Sequence, residues 1–372
     1  MRFLFWASVA LLAYTYVGYL VWLFLRRSWR LRPVRRLPIT PFTSIVIAAH
    51  NEAQTLPQKL QNLFDLDYPE NGYEVIVVSD GSTDATEEIL RSCQDARLRT
   101  IVCAERGGKA AALNLGMARA SGEIVVFTDS RQWLMRESLK SILSNFADPS
   151  VGCVSGALVI GRPGREIRLG GEKLKWGIEN KIRECEGLTG SVVGALGAFY
   201  AARRTMLVPL PEGTLLDDCY LPLNIIRQGA RVVFDAKALA CDDVDPTPRQ
   251  EFRRKVRTLT GNYQLLQLLP WLLSPRNPVW FEFISHKLLR LLGPFALITL
   301  LVTSLRLHGN IYATAFWLQI VFYALALMGW MGIKPGWIGR LAGAALTLVV
   351  GNGAAAVAFA NFVTGRKNVW VR

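Results

Sequence analysis

The sequence predicts an α/β domain with a mainly parallel sheet, joined to apolar helices. Three observations carry that prediction. Short β-rich runs alternate with helical patterns between residues 40 and 240, several runs end in polar or acidic residues, and long uncharged stretches flank them. Strand, helix, strand at this spacing requires crossover connections and a sheet covered on both faces.

The first element is the uncharged run Phe3 to Leu25, long enough to cross a hydrocarbon core of about 30 Å. Arg26 and Arg27 follow it where a signal peptide would carry a small-residue cleavage site, so it reads as an uncleaved anchor. Arg30, Arg32, Arg35 and Arg36 continue the cluster, which by the positive-inside rule places residue 30 onward in the cytosol. The formal net charge of +14 would also suit nucleic acid. No basic and aromatic RNA-binding motif accompanies it, so nucleic acid is excluded as a partner. Membrane lipid headgroups and an anionic substrate account for the charge instead.

The strands come next: "SIVIAA" (44–49), "YEVIVVSD" (73–80), "LRTIVCA" (98–104), "EIVVFTD" (123–129) and "VGCVSGALVI" (151–160). Between them "AQTLPQKLQNLFDL", "DATEEILRSCQD", "GKAAALNLGMARA" and "RESLKSILSNFAD" have apolar residues near helical spacing. A parallel sheet binds its ligand at the carboxyl ends of its strands. Here those ends run into His50-Asn51-Glu52, Asp80 and Asp129. From about 165 to 230 the pattern is more helical, and a Pro-rich break, "DDVDPTPRQ", precedes the basic run "FRRKVRTLTGNYQLL". The cysteines at 93, 103, 153, 185, 219 and 241 show no metal-ligand spacing and read as reduced, mostly buried thiols.

The expected domains are an anchor (1–29), a cytosolic catalytic domain (30–262), an interfacial segment (263–282) and a C-terminal membrane region with a cytosolic basic tail (283–372). Ile311 to Ile333 reads as a span. Leu341 to Gly365 reads as re-entrant or interfacial, because a further span would carry the tail "GRKNVWVR" outward against the charge rule.

Five segments occur in an order that resembles the family 2 membrane glycosyltransferases, the hyaluronan, chitin, cellulose and poly-N-acetylglucosamine synthases. They are "IVIAAHNEAQTL", "VIVVSDGSTDAT", "GGKAAALNLGMARASGEIVVFTD", "LLDDCYLPLNIIRQGARVVF" and "RKVRTLTGN". The resemblance covers about 40–262. It implies a GT-A fold, a UDP-sugar donor, inverting transfer, a polysaccharide or lipid acceptor, and a bacterial inner-membrane protein. Asp218 matches the family's general base and Asp217 the acid before it. Asn51, Glu52, Asp80, Lys109, Asp129, Arg254 and Arg257 match positions near the donor.

Each also has a plainer reading from its residues. Asp80 alone is an Asp-Gly turn before a helix cap, and Asp217 with Asp218 are acids favoured in a first helical turn. Lys109 after Gly107-Gly108 suits either a phosphate neighbour at a helix start or a solvated loop. Arg254 and Arg257 share one helix face, while a second register, Gln250 with Arg253 and Arg254, stays open. Thr258 stands where the family has a tryptophan against the acceptor. The resemblance makes Asp129 the ligand of Mg²⁺ or Mn²⁺, but Arg131 replaces the second acid of its D-x-D.

Overall fold

In a computed structural model of the chain, residues 1–161, 172–242, 247–333 and 336–365 are described. The tail motif with Trp370, and residues 243–246 of the Pro-rich break, lie outside them. Two compact units form: Arg26–Arg168 with Ile178–Asp245, and Met1–Leu25 with Leu169–Gly177 and Pro246–Arg372.

The first unit is built on an eight-stranded sheet. Its strands are β1 (Thr43–Ala49), β2 (Tyr73–Asp80), β3 (Leu98–Cys103), β4 (Ile124–Thr128), β5 (Trp133–Leu134), β6 (Val151–Ile160), β7 (Phe199–Arg203) and β8 (Arg231–Asp242). Their order is β3-β2-β1-β4-β7-β6-β8-β5. Every residue of β2 and β4 is buried, as a central strand covered on both faces requires.

The expected mainly parallel sheet is found in most pairings: β3, β2, β1 and β4 run parallel, as do β6 and β8, while β7 lies antiparallel to both β4 and β6, and β5 is antiparallel to β8. The sheet is mixed. β7 escaped because "FYAAR" is a short apolar run, which periodicity cannot tell from a piece of buried helix. The helices Leu56–Phe64, Thr86–Ser92, Lys109–Arg119 and Ser138–Ser144 fall inside their expected segments.

The second unit is helical. Four helices are long and apolar enough to cross a membrane: Arg2–Trp29, Trp280–Arg306, Asn310–Trp330 and Gly336–Val363. Several of their polar groups pair within the unit: Asn352 Nδ2 donates to Tyr16 Oη at 2.7 Å, and the hydroxyls of Tyr14 and Ser285 lie 2.8 Å apart. Of the two expectations for the last segment, re-entrant or interfacial, the re-entrant one gives way to one continuous helix, Gly336–Val363. At 1.5 Å per residue its 28 residues reach about 42 Å, enough for a tilted span. The helix Pro248–Leu268, which the expected boundary at 262 assigns to the catalytic domain, clusters with this unit instead.

Candidate active site

The loops after β1 and β2 hold each other through short polar side chains. Asn51 adopts a left-handed backbone (φ 56°), a conformation asparagine tolerates. Its Oδ1 accepts the Thr83 N–H at 2.8 Å, and its own N–H donates to Ser82 Oγ at 3.2 Å. The Glu52 N–H donates to Thr86 Oγ1 at 2.9 Å, and the Glu52 carboxylate accepts the Thr55 hydroxyl at 2.6 Å. His50 Nδ1 donates to the Asp80 carbonyl at 2.7 Å.

Asp80 ends β2 and is buried. Its two carboxylate oxygens accept the backbone N–H groups of Gly107 (2.7 Å) and Gly108 (2.8 Å). The "SDG" and "GGK" motifs thus form one bonded turn. Gly81 makes the approach possible: at φ 58° it sits so close that a Cβ would lie 2.6 Å from Arg106 N.

That turn launches the helix Lys109–Arg119 with Lys109 at its first position. The Lys109 ammonium donates to Asp129 Oδ1 at 3.0 Å and lies 3.4 Å from Asp217 Oδ1. Burial works to lower its pKa, but Asp129, Asp217 and Asp218 together more than offset this and hold the ammonium above the usual lysine range. Asp217 and Asp218 open the helix Asp217–Arg227. Neighbours at a helix start diverge by about 100°, and here Asp217 is buried while Asp218 is part-exposed. Asp218 accepts the Gly197 N–H through Oδ2 at 3.0 Å and the Ala195 N–H through its carbonyl at 2.7 Å.

Two expected donor-site residues, Lys109 and Asp129, therefore meet the acid that precedes the expected base: Lys109 joins Asp129 to Asp217, and Asp218 follows it in the helix. Asn51 and Glu52 line the neighbouring loops. Arg254, Arg257 and Thr258 lie on Pro248–Leu268 of the second unit, where Arg254 pairs with Glu251 at 2.6 Å and the Thr258 hydroxyl donates to the Arg254 carbonyl at 3.0 Å. Arg131 is exposed. Among the described residues, no three His, Cys, Asp or Glu side chains converge as a cation site.

Sequence reasoning missed Lys59. It is buried on the helix Leu56–Phe64, and its ammonium donates to Thr128 Oγ1 at 2.9 Å and to the Gln132 carbonyl at 2.6 Å. Thr128 in turn donates to the Ala198 carbonyl at 2.9 Å. A buried cation thus anchors both ends of the Asp129 loop. Burial lowers its pKa to about 7 against the opposing pull of Asp129. The signal was present in the sequence, since Lys59 shares the helical face of Leu56, Leu60 and Leu63.

Residues 44–206 match the family described as Glycosyl transferase family 2. The chain carries a family 2 glycosyltransferase domain. Beta-monoglucosyldiacylglycerol synthase of Nostoc sp. is 32% identical over 118 residues, 31% of this chain and 25% of that protein. Poly-beta-1,6-N-acetyl-D-glucosamine synthase of Staphylococcus aureus is 24% identical over 274 residues, 71% of this chain and 66% of that protein. The matched stretches thus span a quarter and just under two thirds of these relatives. Among solved structures, the mannosyltransferase PcManGT of Pyrobaculum calidifontis, in complex with GDP-Man and Mn²⁺, aligns with a TM-score of 0.74 at 24% identity, covering 98% of this chain and 99% of that one. That likeness shows a shared fold, and the glycosyltransferase domain has the expected GT-A architecture.

Proposed function

We propose that this chain is an inverting membrane glycosyltransferase. It moves a hexosyl unit from a nucleotide-sugar, a UDP-sugar by the motif resemblance, to a growing polysaccharide. The observation that carries this reading is the Lys109 ammonium held between Asp129 and Asp217 at a helix start, with part-exposed Asp218 beside them. An inverting transfer needs positive charge where a diphosphate departs and one carboxylate where a hydroxyl attacks. Lys109 supplies the first and Asp218 the second. The acceptor oxygen bonds to the anomeric carbon as the bond to the diphosphate breaks with its electron pair, and Asp218 takes the hydroxyl proton. Asn51, Glu52 and Asp80 shape the nucleotide end. Arg254 and Arg257 enter this reading on their motif alone.

Asp129, whose side chain is 40% exposed beside Lys109, would be the protein carboxylate that holds a Mg²⁺ or Mn²⁺ ion here. When bound it adds charge compensation to the leaving group. Loss of activity on chelation, restored by Mn²⁺, tests that assignment.

The arginines that follow the first helix support a catalytic unit on the cytosolic side of a plasma membrane. The longer match to the poly-N-acetylglucosamine synthase favours a polymer product. Thr258 favours the second reading, a membrane lipid acceptor, since its hydroxyl turns back onto its own helix and offers no aromatic platform. Purified protein incubated with labelled UDP-N-acetylglucosamine, UDP-glucose and GDP-mannose, with and without lipid, separates the two. Polymer from a UDP-sugar is expected. A single-sugar lipid would replace the first reading with the second, and transfer from none of the donors would exclude both.

A further inference from the structure

Asn114 is on the same helix as Lys109, and its side chain reaches a segment far away in sequence. Its Nδ2 donates to the Leu210 carbonyl at 2.8 Å, and its Oδ1 accepts the Leu210 N–H at 2.8 Å. One amide thus exchanges two bonds with one residue's backbone, as in a hydrogen-bonded antiparallel pair, and so fixes orientation as well as distance. Leu210 stands between Pro209 and Pro211, so its N–H is the one backbone donor those three residues have.

From Leu210 the chain runs seven positions to Asp217, and little of that path can give. Proline fixes its own φ and holds the residue before it extended, which stiffens Val208 to Pro211. Thr214 then folds back on Pro211, donating to its carbonyl from both the N–H (3.2 Å) and the hydroxyl (2.6 Å). Thr214, Leu215 and Leu216 are buried, and Asp217 opens the next helix. On the other side, the helix Lys109–Arg119 is seated on the sheet at Gly116, where a Cβ would collide with Val46 of β1. The amide pair at one end and the 3.4 Å approach of Lys109 to Asp217 at the other therefore close a ring of two stiff arms. An anion that draws the Lys109 ammonium away opens the ring at the ion pair. The Asn114 pair then remains to tie this strap to the Lys109 helix.

We propose that Asn114 is a positioning residue for the transfer step. Its paired bonds to Leu210 set where the helix start at Asp217 and Asp218 lies relative to Lys109, and keep that setting while a diphosphate occupies the ammonium. The inference rests on the donor-site reading above. Asn114 acts through Asp218 and not on the nucleotide, so its loss slows transfer and spares nucleotide affinity.

The test uses the full chain in detergent. Turnover is measured with labelled UDP-N-acetylglucosamine, UDP-glucose and GDP-mannose, and binding with UDP and GDP by titration calorimetry. Asn114→Leu removes both bonds at similar volume, and Asn114→Asp keeps an acceptor for the Leu210 N–H but turns an anion toward its carbonyl. In each, kcat per folded molecule is expected to fall about 10- to 100-fold, the cost of a misplaced catalytic group. KM for the donor and affinity for the nucleotide should stay within about threefold of wild type. In an Asp218→Asn background, Asn114→Asp should cost less than about twofold, because both changes act on one group. A kcat per folded molecule equal to that of wild type would overturn the inference and leave the amide pair a stabiliser of the fold, as would failure of both variants to fold. Nucleotide affinity that falls in step with kcat would also overturn it, as would an undiminished loss in the Asp218→Asn background. All of these leave the donor-site reading intact. Wild type that binds neither UDP nor GDP, or transfers from none of the donors, would instead remove the donor-site reading, and this inference with it.

Discussion

At the scale of single residues, Asp218 and Lys59 have separable roles, one toward the reaction and one in holding the Asp129 loop. Asp218 accepts a backbone N–H from Gly197 and is the more exposed of the helix-start pair. Asp218→Asn keeps its shape but cannot take a proton. Turnover should fall about 10²- to 10⁴-fold with nucleotide binding retained, and wild-type turnover would end its assignment as base. Lys59 makes a prediction in pH. Its folded pKa of about 7 lies below the ordinary lysine value of 10.5, so between these values the unfolded chain binds the extra proton. Stability therefore rises with pH across that window by up to about 1.4 kcal/mol per unit, and is insensitive to this group below it. Thermal unfolding of wild type against Lys59→Met, from pH 6 to 10, should show the wild type gaining on the variant above pH 7. A constant difference would refute this.

At the scale of elements, the site depends on loops brought together by close backbone approach. Gly197 has a backbone any residue can adopt, but a Cβ there would stand 2.9 Å from Asp218 Oδ2. Gly197→Ala should thus displace the carboxylate while sparing the sheet: turnover down about 10- to 100-fold, with a thermal midpoint within a few degrees of wild type. A midpoint collapse with normal turnover of the folded fraction would show the glycine serves packing instead. The sequence made the parallel half of this scaffold legible. β1, β2, β3, β4 and β6 are apolar runs, with Asp80 and Asp129 legible at strand ends, while Lys109 was legible at a helix start and Asp218 through the family resemblance. The two-residue β5 was hidden by its length, β7 because "FYAAR" lacks a Val or Ile run, and the twelve-residue β8 also went unread as a strand. The helical spacing of Lys59 marked its burial, but its contacts with Thr128 and Gln132, far away in sequence, were not legible. The Asp80 clamp on Gly107 and Gly108 was visible only as two separate motifs.

At the scale of the whole molecule, the number of membrane crossings decides on which side the connections between helices lie. The charge rule alone argued against a fourth crossing, because it weighs the basic tail and not the backbone of the last segment. The unbroken helix Gly336–Val363 removes the re-entrant form of that reading, since a re-entrant segment needs a break to turn back within the lipid. We propose four crossings with the arginine cluster in the cytosol, an arrangement that puts the turn at Leu307–Gly309 outside and the turn at Met331 and Gly332 in the cytosol. Single cysteines test this in intact cells. The native cysteines are buried or half-buried in the first unit and supply the unreacted baseline. His308→Cys should react with a membrane-impermeant thiol reagent added outside, whereas Arg30→Cys and Met331→Cys should react only after permeabilisation. Protection of His308→Cys in intact cells, or labelling of Met331→Cys, would return the chain to fewer crossings.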